Sequence, residues 1–152
     1  MENRIQRIDA VRITIERRKL ARDEKSIRKI FEVLEECRIP CECMAINIDW
    51  LAIVVRKAEY GKIKRFVEML VQELSQTDIS IDGEIVLLYL EKGQMTSRRI
   101  GMVVSTLSIQ GIDIVLQRYI KCEDRLVIGV PPEVGNEALR MIREIVDTGY
   151  QT

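Results

Sequence analysis

Residues 91–121, EKGQMTSRRIGMVVSTLSIQGIDIVLQRYIK, place a glycine and the basic pair Arg98-Arg99 just ahead of an apolar run, where a phosphate-binding loop would stand. Such a loop needs a glycine, four residues and then Gly-Lys-Ser/Thr, because consecutive backbone N–H groups must converge on one phosphate. Gly93 and Gly101 stand eight positions apart and no lysine follows the second, so the spacing does not support ATP chemistry. The chain holds no histidine, which removes serine triads, the commonest general base and most zinc enzymes in one step. Cys37, Cys41 and Cys43 form the one thiol cluster, with Cys41 and Cys43 two apart and therefore expected on one face of a strand. A structural zinc site wants four ligands, and the fourth would have to be distant Cys122. Small apolar core residues are the expected identity of these cysteines, and no metal or other cofactor is expected.

Composition narrows the classes further. The 152 residues carry 24 Lys and Arg against 24 Asp and Glu, so no net field draws the chain toward nucleic acid or anionic lipid, and any anion site must be local. An apolar fraction of 47% beside 32% charged residues is that of an ordinary globular chain. The N-terminal MENRIQRIDA lacks an apolar core of signal-peptide length, and no apolar run approaches the roughly 20 residues that span a bilayer. A cytoplasmic protein with reduced thiols is expected, with no membrane partner.

The elements that would position any site come in two copies. Sliding the sequence by 73 residues sets VRITIER on EIVLLYL, SIRKIFEVL on RRIGMVVSTL and RIPCECM on GIDIVLQ. After a further shift of two residues, LAIVVRKAEYGKIKRFVEML falls on LVIGVPPEVGNEALRMIREI. In the first copy, Ile13 and Ile15 alternate with Arg12, Thr14 and Glu16 at the period of a half-buried strand. Ile27, Ile30, Phe31, Leu34 and Cys37 then make a helical stripe that Pro40 ends. Two strands follow, 41–48 and 51–56, turning around Asn47 to Trp50. A second helix carries Ile63, Phe66, Val67, Leu70, Val71 and Leu74 on one face, and Ile79 and Ile81 mark a closing strand. The second copy reads strand 84–91, helix 98–110, strands 112–121 and 125–130, and helix 133–147.

This order predicts an α+β fold of two ferredoxin-like βαββαβ units, 5–82 and 83–149, each an antiparallel sheet with both helices on one face. A unit of about 70 residues is marginal alone, so packing against a second unit or a partner chain is expected. Ferredoxin-like sheets also bind RNA by stacking bases on aromatics of the central strands, but LAIVVR and RLVIGV carry none, so no nucleic-acid partner is expected.

The repeated IDAVRITIE, IRKIFEVLEECRIP, QGIDIVLQRYI and ALRMIREI resemble the tandem ACT domains that form the C-terminal regulatory region of aspartokinases. The resemblance covers residues 5–147 and rests on the order of all these segments. It implies a regulatory chain without catalytic residues, binding an amino-acid effector such as lysine or threonine where domains of two chains meet. It also implies a homodimer, strands exchanged between the two domains, and a kinase or other enzyme subunit as a possible regulated partner. Two alternatives stay open: a ligand-free dimerisation or assembly module, and the regulatory piece of a longer aspartokinase.

In that family the effector is held by the first strand–helix loop, the helix start and the beginning of the second strand, which is physically apt because free N–H groups at a helix start accept a carboxylate. The resemblance carries this role to Asp23, Lys25, Ser26 and Ile27 in the first copy and to Ser97, Arg98 and Arg99 in the second. Counting back from Ile39 and Ile112 puts Lys25 and Arg98 where the family has glycine. Glu42 falls where the family has an acid near the effector amine, and Asn47 matches an asparagine later in that strand. Arg98 and Arg99 oppose the helix dipole, an arrangement that invites a compensating anion, with Ser97 as the expected cap.

Overall fold

The computed structural model describes residues 4–91 and 95–148. It is α+β, with strands β1 (Arg4–Glu16), β2 (Cys41–Ile46), β3 (Trp50–Arg56), β4 (Asp78–Glu91), β5 (Leu116–Ile120) and β6 (Arg125–Val130). The helices are α1 (Glu24–Glu36), α2 (Tyr60–Glu73), α3 (Ser97–Ile109) and α4 (Gly135–Thr148). The chain divides into two compact units, one of residues 10–84 and one of residues 85–148 together with the first part of β1 up to Asp9. β1 and β4 therefore each contribute residues to both.

In the first unit the strands neighbour one another in the order β2-β3-β1-β4. β1 and β3 pair antiparallel from Ala10↔Arg56 to Glu16↔Trp50. The alternation of β1 turns Val11, Ile13 and Ile15 to one face, where they meet Leu51, Ile53 and Val55 of β3 and the buried sides of α1 and α2. α1 buries Ile30, Val33, Leu34 and the following Cys37, a set spaced i, i+3, i+4, i+7. Phe31 lies one residue round the helix from that set and is 41% exposed. On α2, Ile63, Phe66 and Leu70 are buried while Val71 is 60% exposed. The α1 stripe expected from the sequence takes in Phe31 and leaves out the buried Val33, and the α2 stripe takes in Val71, because apolarity marks a face only to within the 100° step between neighbours.

In the second unit the order is β1-β4-β6-β5, and β4 pairs with β6 from Val86↔Val130 to Glu91↔Arg125. Val86, Leu88 and Leu90 meet Leu126, Ile128 and Val130 under α3 and α4, and Ile5 of β1 packs against the same cluster. Gly129 stands where the first unit has Val54, and a Cβ there would come within 2.7 Å of Ile85 Cδ1 and 3.0 Å of Leu116 Cβ. Glycine is what the neighbours leave room for.

Two boundaries differ from expectation. The closing strand at Ile79 and Ile81 and the strand 84–91 are one element, β4, with Gly83 at φ 112° inside it. A left-handed φ costs glycine nothing, so the chain passes through the bend and continues as strand. β5 begins at Leu116, not 112: the preceding segment is held by Ile112 N–H to Leu107 O at 2.9 Å and Val115 N–H to Gly129 O at 2.9 Å. The first bond belongs to the helix ending, where Gly111 at φ 76° lets the chain turn back on α3. α1 ends the same way at Arg38, φ 55°, with Ile39 N–H to Leu34 O at 3.1 Å.

Candidate functional site

In each unit the chain leads from the first strand into the first helix, and seven of the nine residues singled out above stand where that helix starts: Asp23, Lys25, Ser26 and Ile27 in the first unit, and Ser97, Arg98 and Arg99 in the second. In the first unit the loop runs from Arg17 to Asp23. Leu20 anchors it in the core, and Lys19 adopts a left-handed φ of 59°. Its backbone is tied to the β2–β3 turn: Arg17 N–H donates to Asp49 O and Ala21 N–H to Ile48 O, both at 3.0 Å, and Lys19 N–H donates to Asp49 Oδ1 at 2.8 Å. Sequence reasoning missed Asp49, whose only signal was a short acidic residue in a turn.

Asp23 is the N-cap of α1. Its Oδ1 accepts Ser26 N–H at 3.2 Å and its Oδ2 accepts the Ser26 hydroxyl at 2.7 Å. Arg17 Nη1 donates to Ser26 Oγ at 2.8 Å and lies 3.3 Å from Asp23 Oδ2. Ser26 is the buried polar side chain of this unit, and its hydroxyl is satisfied on both sides. The helix start already carries a carboxylate with a cation, supplied by the chain itself. Lys25 is exposed beside it and Ile27 half-buried against the core.

The Ser26 hydroxyl bond, then the Ser26 N–H, hold the Asp23 carboxyl below its ordinary value of 3.8, with the Arg17 charge adding to them. A depressed folded pKa means stability that is complete above the unfolded value and lost as the pH falls through the folded one. Thermal melts taken from about pH 5 down to about pH 2.5 are expected to show Asp23→Asn less stable than the parent at the upper end, the gap closing in the acid. A gap that stays constant across that range would show that the charge of Asp23 contributes nothing.

Asn47 lies at this same end of the unit, exposed, its N–H donating to Trp50 O at 2.9 Å. Glu42 does not. It is the second residue of β2, toward the other end, five residues from Asn47 and so about 17 Å away along the strand. There it is the extra residue of a bulge, since Cys41 pairs with Val55 and Cys43 with Val54, and its carboxylate is paired with Arg56 Nε. The bulge also turns Cys41 and Cys43 to opposite faces: Cys41 packs on the core with Met44, and Cys43 does not. The shared face expected for the two thiols is absent because one inserted residue reverses the alternation. Cys37 lies with its Sγ 3.7 Å from Met69 Sδ, and burial raises the thiol pKa of Cys37 and Cys41 alike. Among the described residues no three His, Cys, Asp or Glu side chains gather as a metal site would require.

In the second unit the cap of α3 is Thr96 rather than Ser97. Thr96 has an extended backbone, φ −95° and ψ 163°, and its Oγ1 accepts Arg99 N–H at 3.2 Å. Ser97 is the first helical residue, exposed like Arg98, while Arg99 is half-buried. The first turn carries no acidic side chain. Gly93 lies outside the described residues. Met95 N–H donates to Asp124 Oδ1 at 3.1 Å, and the same oxygen accepts the Tyr119 hydroxyl at 3.0 Å. At the far end of α3, a groove of about 430 Å³ opens between Val104 and Ser108 of the helix and the Gly111–Gln117 segment that leads into β5. No described helix is long and apolar enough to cross a membrane.

No family model and no curated protein matches the sequence. Solved structures do. The regulatory subunit of aspartate kinase from Thermus flavus superposes with a TM-score of 0.73 at 15% identity, over 93% of this chain and 95% of that one. Aspartate kinase from Clostridium acetobutylicum gives 0.79 at 19% identity, over 93% of this chain and 34% of that one. Aspartokinase III from E. coli, solved with lysine and aspartate, gives 0.69 at 12% identity, over 96% of this chain and 33% of that one. The chain spans about a third of the whole aspartate kinases it matches and nearly all of the separate regulatory subunit. These likenesses show the fold: it is shared with the regulatory subunit of aspartate kinase and with about a third of the whole enzymes.

Proposed function

We propose that this chain is a non-catalytic regulatory module of the aspartate-kinase type that takes an amino-acid effector at the start of α3 and passes its occupancy to a second copy or to an enzyme subunit. The fold likeness supports the regulatory reading, and one contrast between the units supports the site. At the start of α1 the carboxylate position is filled by Asp23, with Arg17 and Ser26 around it. At the start of α3 the cap is a neutral threonine, and Arg98 and Arg99 stand in a first turn without an acidic side chain. A helix start offers N–H groups and a positive dipole end, and the exposed Arg98 adds a cation beside them that an α-carboxylate offsets. The effector's carboxylate belongs there, with Arg98 as its cation. Lysine and threonine, the effectors implied by the sequence resemblance, are the first to try.

The mechanism is population shift. An effector that binds one arrangement of the chain better than another stabilises it by the difference in affinity, and regulation follows from that difference alone. A thermal-shift series with the twenty amino acids tests the reading. An effector at one hundred times its dissociation constant is expected to stabilise the chain by about 2.7 kcal/mol. The shift should vanish in Arg98→Ala and persist in Lys25→Ala. A chain that responds to none of the twenty yet scatters light as a stable dimer is an assembly module, and the effector reading falls.

A further inference from the structure

The loop before each first helix is held by the same device, and the effector reading has no part in that observation. In both units the residue directly before the third strand is an aspartate: Asp49 precedes β3 and Asp124 precedes β6. In both, its Oδ1 accepts a backbone N–H from the loop that leads into the unit's first helix, Lys19 at 2.8 Å and Met95 at 3.1 Å. The sequence surroundings of the two differ. The turn before Asp49 is Asn47-Ile48, whereas Asp124 follows a helical turn at Lys121–Glu123 and itself adopts φ 46°. One carboxylate-to-amide bond recurs across unlike frames.

We infer that Asp49 and Asp124 are positioning residues through which the β2–β3 and β5–β6 turns set the loops ahead of α1 and α3. A strand–helix loop has amides that no ladder or helix satisfies, and a carboxylate accepting one of them makes a charge-assisted bond roughly twice as strong as a neutral one. In the second unit the Tyr119 hydroxyl shares the Asp124 oxygen, so a side chain of β5, the outermost strand of the unit, is one bond removed from the amide of Met95. The consequence, which rests on the effector reading, is reciprocal coupling: whatever engages the start of α3 biases the β5–β6 turn, and whatever engages β5 biases the start of α3.

Hydrogen exchange of the full chain tests the positioning without any ligand. In Asp124→Ala the amides of residues 95–100 are expected to exchange at least about tenfold faster, while the first unit's loop, residues 17–26, stays as in the parent. Asp49→Ala should do the reverse. Asp124→Asn keeps an acceptor oxygen and should restore most of the protection, which separates positioning from a general loss of structure. Unchanged exchange at 95–100 in Asp124→Ala overturns the inference, and so does faster exchange spread equally over β4 and β6. If Asp124→Ala fails to fold, Asp124→Asn decides: the inference requires most of the protection at Met95 to remain in it, and loss there overturns the inference. None of these results depends on whether an amino acid binds.

Discussion

Phe66→Ala is expected to destabilise the first unit by about 3–5 kcal/mol, the usual cost of emptying a fully buried aromatic site. Phe66 is 0% exposed on the inner face of α2, in one cluster with Ile13 and Ile15 of β1 and Ile53 of β3. Because the ring sits among side chains of both helices and the sheet, no single neighbour can move in to fill the space it leaves. In a chain of 152 residues the midpoint of thermal unfolding should fall by about 6–20 °C. Phe31→Ala is the control. Its ring is 41% exposed on the rim of α1, and its removal should cost no more than about 1 kcal/mol. Urea titrations followed by circular dichroism compare the two, and equal costs would mean that the packing of the first unit is not as described.

Leu107→Ala is expected to cost about 2–5 kcal/mol in the second unit. Leu107 is 0% exposed in the last turns of α3, in one cluster with Leu88, Ile128 and Ile142. Ile109, two positions on, is 81% exposed, so Ile109→Ala should change stability by less than about 0.5 kcal/mol. The comparison carries a functional consequence. α3 bears Arg98 at its start, so a variant that loosens its seat on the sheet should also shrink the thermal shift from an amino acid, whereas Ile109→Ala should leave that shift whole. An unaltered shift in Leu107→Ala, at a temperature where the variant is folded, would remove α3 from the binding element.

The contrast within each pair shows where the sequence stops being legible. Periodicity finds both helices and their general face, since apolar residues recur every three or four positions. It cannot separate Phe31 from Ile30 or Ile109 from Leu107, because each member is apolar and only the neighbouring elements determine which one meets the core. The same holds for the thiols. Cys41 and Cys43 share a face in any regular strand, and a bulge at Glu42 that no local residue announces sends them apart. The candidate site divides along this line too. That Ser26, Arg98 and Arg99 stand at helix starts was readable from the change of period, whereas the caps were not: Thr96 caps α3 in place of the expected Ser97, and Asp23 caps α1. That Glu42, near the start of β2, stands at the other end of the unit follows from the strand–helix–strand order, which brings the chain back before the next strand begins; its pairing with Arg56 was not readable, because it depends on the register of two strands.

By itself the sequence determined the duplication, the α+β order of elements and the absence of histidine-based chemistry, all of which are properties of residue type and spacing along one dimension. The tertiary structure alone decided that β1 and β4 each serve both units, that Asp23 caps α1 where Thr96 caps α3, and that an aspartate before the third strand accepts a backbone N–H from Lys19 in one unit and from Met95 in the other. Those outcomes depend on which backbone amides and charges come within hydrogen-bonding reach, and contacts at 3 Å between residues 29 or 30 positions apart are set by the packing of whole elements, not by any local preference.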